Sequence, residues 1–248
     1  SKKGEFIANP CLASRKDLRD SVTAARAAQH GWAKATAYNR GQILYRIAEM
    51  LEGRAEQCAA EISATTAITP LKAQSMVSEA IDRWVWYAGW SDKLSAVTGA
   101  TNPVAGPYYN FTIPEPLGVV VVTASDSFID FIDAIAAAVV SGNSVIALVD
   151  GGLSVPAMTF AEVLATSDLP AGVINILTGS LDELAPWAAS HMDVDGFDIS
   201  AIGKKKRTEL KVAGAENLKR IYIADGKLTP SRILAFMEQK TVWHTIGV

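Results

Sequence analysis

The chain has 248 residues, 49% of them hydrophobic and 20% charged, with a formal net charge of −3. This length suits one large or two small domains with a sizeable core, and the near-neutral charge gives no electrostatic case for a nucleic-acid or membrane-surface partner. Cys11 and Cys58 are the two cysteines and form no CxxC pair, so no disulfide framework is expected and a reducing cytoplasm is the default compartment.

No secretory signal pattern is present. The apolar run from Leu117 to Ala124 is far too short to span a bilayer, and the run from Ala134 to Val149 is broken by Ser141, Gly142 and Asn143. The sequence starts at Ser1 without Met, which reads as a piece of something longer.

Residues 14–60 read as two helices. In "DLRDSVTAARAAQHGW" a period near 3.6 puts Leu18, Val22, Ala25 and Trp32 on one face, and Ser14 is placed to cap the first turn. "NRGQILYRIAEMLEGRAEQCAAEI" repeats the pattern through Ile43, Ile47, Leu51 and Ala55. A third helix follows Pro70, with Ile81, Trp84, Val85 and Ala88 on a stripe. At that spacing Trp84 and Trp90 are core residues rather than a ring-binding site.

Residues 98–113 carry Gly99, Pro103, Gly106 and Pro107 and then "YYNFTI", a turn-rich connection into a strand or hairpin. Beyond it strand and helix alternate. "GVVVV", "SVIALV", "LPAGVINILTG", "VDGFDIS" and "LKRIYIADG" read as strands. "FIDAIAAAVVSGN", "VPAMTFAEVLATSD", "LDELAPWAAS" and "GKKKRTELKVAGA" read as helices, the first ending near Gly142. The pattern predicts an α/β fold: a Rossmann-like parallel sheet covered on both faces. "TPSRILAFMEQKTVWHTIGV" adds a short helix and a terminal strand.

"EPLGVV", "SGNSVI", "LPAGVINILTG" and "SHMDVDGF" follow in order at the intervals of aldehyde dehydrogenases, and "AARAAQHGW", "YAGWSDKL" and "NLKRIYI" agree. The chain resembles that family over residues 14–227 and again at "KTVWHTIG". The resemblance implies the family's cofactor domain with its N-terminal helices and C-terminal oligomerisation strand. It also implies NAD or NADP as cofactor, a cysteine nucleophile, an asparagine on the oxyanion and a glutamate base.

Carried over by position, the resemblance puts Ser127 where the oxyanion asparagine stands, between Asp126 and Phe128. Loss of such a donor costs about 10²–10³ in rate, and the Asp126 carboxylate would repel developing negative charge. The Lys-Pro-Ser-Glu ribose-binding run falls on Leu148, Val149, Asp150 and Gly151, which removes two ribose contacts. The Phe-Thr-Gly-Ser run under the pyrophosphate falls on Ile199, Ser200, Ala201 and Ile202, with Gly203 next. The general base falls on Ala224, and the adjacent Asp225 would face the other way on a strand. After Gly226 the chain passes almost directly to its tail, so the separate catalytic domain with its nucleophile is absent, and neither Cys11 nor Cys58 matches that position. Asp126, Asp130 and Asp133 lie near the start of a helix, where a negative charge gains about 0.3–1 kcal/mol from the macrodipole; they suit a helix with no anion to bind.

The remaining motifs have plain readings. "GKKKR" (203–207) is a solvated helix face rather than a nucleic-acid footprint. His30, His191 and His244 lack ligand spacing. "TGS" (178–180) is a turn, and Gly151–Gly152 is a flexible connection without the GxGxxG pattern. "TVWHTI" is β-branched and aromatic, as an associating edge strand should be.

Three segments are expected: 1–97 as a helical section on the sheet, 98–227 as a degenerate dinucleotide-binding domain with its hairpin, and 228–248 as tail and oligomerisation strand. The expected function is a non-catalytic aldehyde-dehydrogenase-like domain like the truncated second unit of tandem enzymes. No catalytic, cofactor or metal residue is assigned, and no cofactor is expected for this stretch itself. Its partner is expected to be a second copy or an upstream catalytic unit, met through the C-terminal strand, with no nucleic acid and no membrane. The alternatives are an NAD-binding regulatory module and an enzyme half completed by another domain.

Overall fold

A computed structural model describes residues 6–66, 68–125 and 127–247. The chain opens with α1 (Arg15–Lys34), α2 (Ala37–Glu52), α3 (Ala55–Thr65) and α4 (Pro70–Ala88). Ser14 precedes α1, and its backbone N–H and hydroxyl both donate to Asp17 Oδ2 at 2.8 Å. The hydroxyls of Thr36 and Thr69 accept from Asn39 N and Lys72 N, capping α2 and α4, and Pro70 occupies the first turn of α4 where its missing N–H costs nothing. Leu18, Val22, Ala25 and Trp32 are all buried, as the periodicity requires.

Two details differ from the sequence pattern. Residues 39–62 form two helices, because the chain turns at Gly53 and Arg54 (φ −116°, ψ 14°). One straight helix over that span would run about 36 Å; the turn instead lays Cys58, Ala59 and Ile62 into the same core as Leu44, Ile47 and Leu51. On α4, Trp84 and Ala88 are buried but Val85 is 44% exposed. One position on from Trp84 lies about 100° around the helix, off the buried stripe.

After α5 (Leu94–Thr98), β1 (Ala100–Asn102) and β2 (Tyr108–Pro116) form an antiparallel hairpin. The alternating layer follows: β3 (Val119–Ala124), α6 (Phe128–Val139), β4 (Ser144–Val149), α7 (Ser154–Ala165), β5 (Ile174–Thr178), α8 (Leu181–Ser190), β6 (Gly196–Asp198), α9 (Lys204–Ala215) and β7 (Arg220–Tyr222). These strands make a parallel five-stranded sheet in the order β5-β4-β3-β6-β7. Strand alternation sorts side chains by face. Val120, Val122, Val145 and Ala147 join the core formed with α2, α3, α4, α6 and α7. Val119, Val121, Ile146 and Leu148 join the one formed with α1, α8 and α9.

Polar groups pin the layers. Asn143, fully buried, accepts from Gly118 N at 2.7 Å and donates to the carbonyls of Ala138 and Phe236 and to Ser141 Oγ. Gly142 closes the turn after α6 at φ +103°, a conformation that favours glycine. Trp32 Nε1 donates to Val139 O at 2.9 Å, tying α1 to the end of α6. The chain ends with α10 (Ser231–Leu234) and β8 (Met237–Thr245), which pairs antiparallel with β2 from Tyr108 opposite Thr245 to Pro116 opposite Met237. Among the described residues no helix is long and apolar enough to cross a membrane.

Candidate functional site

In the parallel sheet, β3–α6–β4–α7–β5 extends one way and β6–β7 the other, so the order reverses between β3 and β6. In open α/β sheets ligands lie at the carboxyl ends of the strands beside such a switch point. A cavity of about 300 Å³ opens there, lined by Thr123, Ser125, Ser127, Asp130, Ser200, Ala224 and Arg232 among others.

Much of the polar surface here is engaged within the protein. Ser127 Oγ accepts from Asp130 N and caps α6. Asp198, wholly buried at the end of β6, accepts at Oδ1 from the Ser200 N–H (2.9 Å) and from the Ser200 hydroxyl. At Oδ2 it accepts from Arg232 Nε (3.1 Å) and Nη2 (2.7 Å). Burial alone would pull the Arg232 guanidinium down; the Asp198 charge and hydrogen bond outweigh it and hold Arg232 above its ordinary value. Ser200 Oγ in turn accepts from Ala224 N at 2.8 Å. Thr123 Oγ1 donates to Asp198 O, and Arg207 reaches back to the carbonyls of Ile202 and Ser200 at 2.8 Å each. Thus α10, β6 and the loop into α9 are locked to one another beside the cavity.

Ala224 and Gly226 line the cavity, whereas Asp225 is exposed and accepts from Lys227 N. Leu148 is fully buried in the core on the α1/α8 side. Asp150 accepts at Oδ1 from Gly151 N (2.6 Å) and at Oδ2 from Leu181 N (3.1 Å), so a carboxylate of the protein sits on the first amide of α8. Lys206 on α9 and Asp182 on α8 pair at 2.6 Å, bridging the first turns of the two helices. Ile199 and Ile202 are buried.

Asp126 lies outside the described residues. Asp130 is in the first turn of α6, but Asp133 is not a macrodipole group. It is 8% exposed, faces α4 and pairs with Arg83 at 3.1 Å, while its Oδ1 has no hydrogen-bond partner. Burial pushes the Asp133 carboxyl up to about 6 against the pull of Arg83. The Gly151–Gly152 segment is a packed 3-10 turn rather than a flexible connection: a Cβ on Gly152 would lie 2.8 Å from Thr65 O. Lys204, Lys205 and Lys206 are exposed as expected of a solvated face, but Arg207 is half-buried and bonded inward. Thr178 ends β5 and Ser180 immediately precedes α8, in keeping with a turn at 178–180.

Neither cysteine approaches the cavity. Cys11 is exposed, and Cys58 is buried in α3, where burial pushes its thiol up to about 12 with the Glu61 charge adding. Among the described residues no group of three His, Cys, Asp or Glu could hold a metal ion. The sequence reading missed the Asp198–Arg232 pair and the Asp150 cap. Both join residues 31 or more positions apart, and neither leaves a local signal.

The family model described as "Aldehyde dehydrogenase family" matches residues 1–237. The chain belongs to the aldehyde dehydrogenase family. Over 241 residues it is 29% identical to an aldehyde dehydrogenase of Emericella nidulans, covering 95% of this chain and 48% of that protein. Over 241 residues it is 30% identical to the cytosolic 10-formyltetrahydrofolate dehydrogenase of Mus musculus, covering 94% of this chain and 26% of that protein. The chain therefore spans half the length or less of these family members. Among solved family structures, a putative aldehyde dehydrogenase from Burkholderia cenocepacia superposes with a TM-score of 0.80 at 28% identity, over 89% of this chain and 46% of that one. The Staphylococcus aureus betaine aldehyde dehydrogenase, determined in complex with NAD+, shares the fold with a TM-score of 0.82 at 21% identity, over 88% of this chain and 44% of that one.

Proposed function

We propose that this stretch is a non-catalytic aldehyde-dehydrogenase domain, part of a longer NAD(P)-dependent enzyme, whose work is assembly rather than turnover. The observation that carries this reading is the carboxyl-edge cavity. Ala224 stands on it at the base position, and Arg232 beside it is committed to Asp198. The residues present do not fit a dinucleotide. Asp150 stands in the run where the resemblance puts the ribose contacts and is turned onto the first amide of α8, buried Ile202 replaces a hydroxyl donor just before α9 where the pyrophosphate would lie, and Asp130 adds negative charge to the cavity lining. Purified chain incubated with aldehyde and NAD or NADP should form no reduced cofactor above the rate without protein; turnover defeats the proposal.

The assembly role rests on the ribbon of β1, β2 and β8. Tyr109, Ile113 and Trp243 are 47%, 39% and 60% exposed on it, and β8 pairs only through β2, leaving its other edge open among the described residues. An open, apolar-bearing edge strand is a template for pairing. The partner proposed is a second copy or a complete catalytic unit of the same family. The competing reading, an NAD-binding regulatory module, draws on the fold shared with NAD+-bound relatives and is separated from the first by titration with NAD+.

A further inference from the structure

A second concave surface lies away from the sheet edge, between the first two turns of α1 and the end of α8. It encloses about 510 Å³ and is lined by Arg15, Lys16, Leu18, Arg19, Trp187, His191 and Met192, with Ser190 at its edge. Leu18 is its buried floor, while Trp187 and Met192 are 40% and 77% exposed. The Arg15 guanidinium lies 3.8 Å over the Trp187 ring, holding the indole as a platform.

The charge of this surface runs against that of the chain. Arg15, Lys16 and Arg19 fall within five positions in a protein of net charge −3. They occupy the start of a helix, where the macrodipole disfavours cations. The first-turn acid, Asp17, is spent on Ser14. Arg19 pairs with its exposed neighbour Asp20 at 2.7 Å, and neither Arg15 nor Lys16 has a carboxylate partner among the described residues. Local contacts engage Arg15 and Arg19 but leave Lys16 without a carboxylate among the described residues and Met192 exposed beside the partly exposed Trp187. Cations flanking an apolar anchor are the complement of an acidic segment that carries an apolar side chain.

We propose that this α1/α8 groove docks an acidic stretch of a partner protein, whose apolar side chain sits against Trp187 and Met192 while its carboxylates meet Arg15, Lys16 and Arg19. The probe is the copolymer poly(Glu,Tyr), followed by anisotropy at low salt with the full chain, with poly-Glu and oligo-dT as comparators. Saturable binding of poly(Glu,Tyr), tighter than that of either comparator, is expected. Its Kd should rise about tenfold in Arg15→Glu/Lys16→Glu and about tenfold in Trp187→Ala. Met192→Glu, at a more exposed position, replaces Trp187→Ala if the latter lowers the melting temperature. Binding unchanged in these variants overturns the proposal, as does oligo-dT binding as tightly as poly(Glu,Tyr). Self-association abolished by Trp187→Ala, seen by light scattering, would also overturn it by making a second copy the occupant.

Discussion

Arg232 reaches one oxygen of Asp198 through two of its nitrogens, at 3.1 and 2.7 Å, with side chains 7% and 0% exposed. The pair joins α10 to the end of β6 beside the candidate cavity. Removing one member strands the other charge in a dry site, which costs far more than the pair contributes. Arg232→Met should therefore lower the free energy of unfolding by about 3–5 kcal/mol, read by urea denaturation. Arg232→Met/Asp198→Asn together should recover part of the loss. A double variant no more stable than the single would show that the pair does not act as a unit.

Asp133 sets a pH dependence. Burial, outweighing the pull of Arg83, pushes its carboxyl up from the ordinary 3.8 to about 6 in the folded protein. Between those values the folded state holds more protons than the unfolded state, so this contribution to stability is full below 3.8 and is lost as pH rises through about 6. The loss is on the order of 1–3 kcal/mol. In Asp133→Asn the term vanishes. The difference in unfolding free energy, variant minus wild type, should grow in the variant's favour from pH 4 to pH 7 by about that amount. A difference that stays flat with pH would contradict the assignment.

Asn143 is the polar hub between β3, α6 and α10, satisfying Gly118 N and the Phe236 carbonyl at once. Asn143→Ala should leave buried backbone groups unpaired and cost about 3 kcal/mol, with Asn143→Asp no better because a carboxylate cannot donate to the Ala138 and Phe236 carbonyls. Thermal melting ranks the variants, and a shift within error of wild type would remove Asn143 from this role.

The ribbon can be tested by truncation. Deleting residues 241–248 removes the β8 partners of Tyr108 through Thr112 while keeping the contacts of Phe236 and Met237 with Asn143 and Arg220. The assembly reading expects a multimer for the full chain and a monomer for the truncation by size exclusion with light scattering. A monomeric full chain at high concentration would sink it.

What sequence alone revealed divides along local and long-range lines. Leu18, Val22, Ala25 and Trp32 announce a helix because a 3.6 period is a local property, and all four are buried. The valines of β3 announce a buried parallel strand for the same reason. The break at Gly53 was hidden inside a continuous apolar pattern, since the decision to turn is made by the core that α3 must reach. Asp133 looked like a helix-start acid because its partner Arg83 is 50 positions away. At the candidate site the altered positions could be read from the motifs around them. The internal locks, Asp198 with Arg232 and Asp150 on Leu181 N, are products of topology and carry no motif.

Calorimetric titration of the purified chain with NAD+ decides whether the crevice at the carboxyl edge has lost its grip on a dinucleotide, as proposed. No saturable heat is expected up to about 1 mM NAD+. A saturating isotherm with a Kd of about 1–10 μM would contradict it.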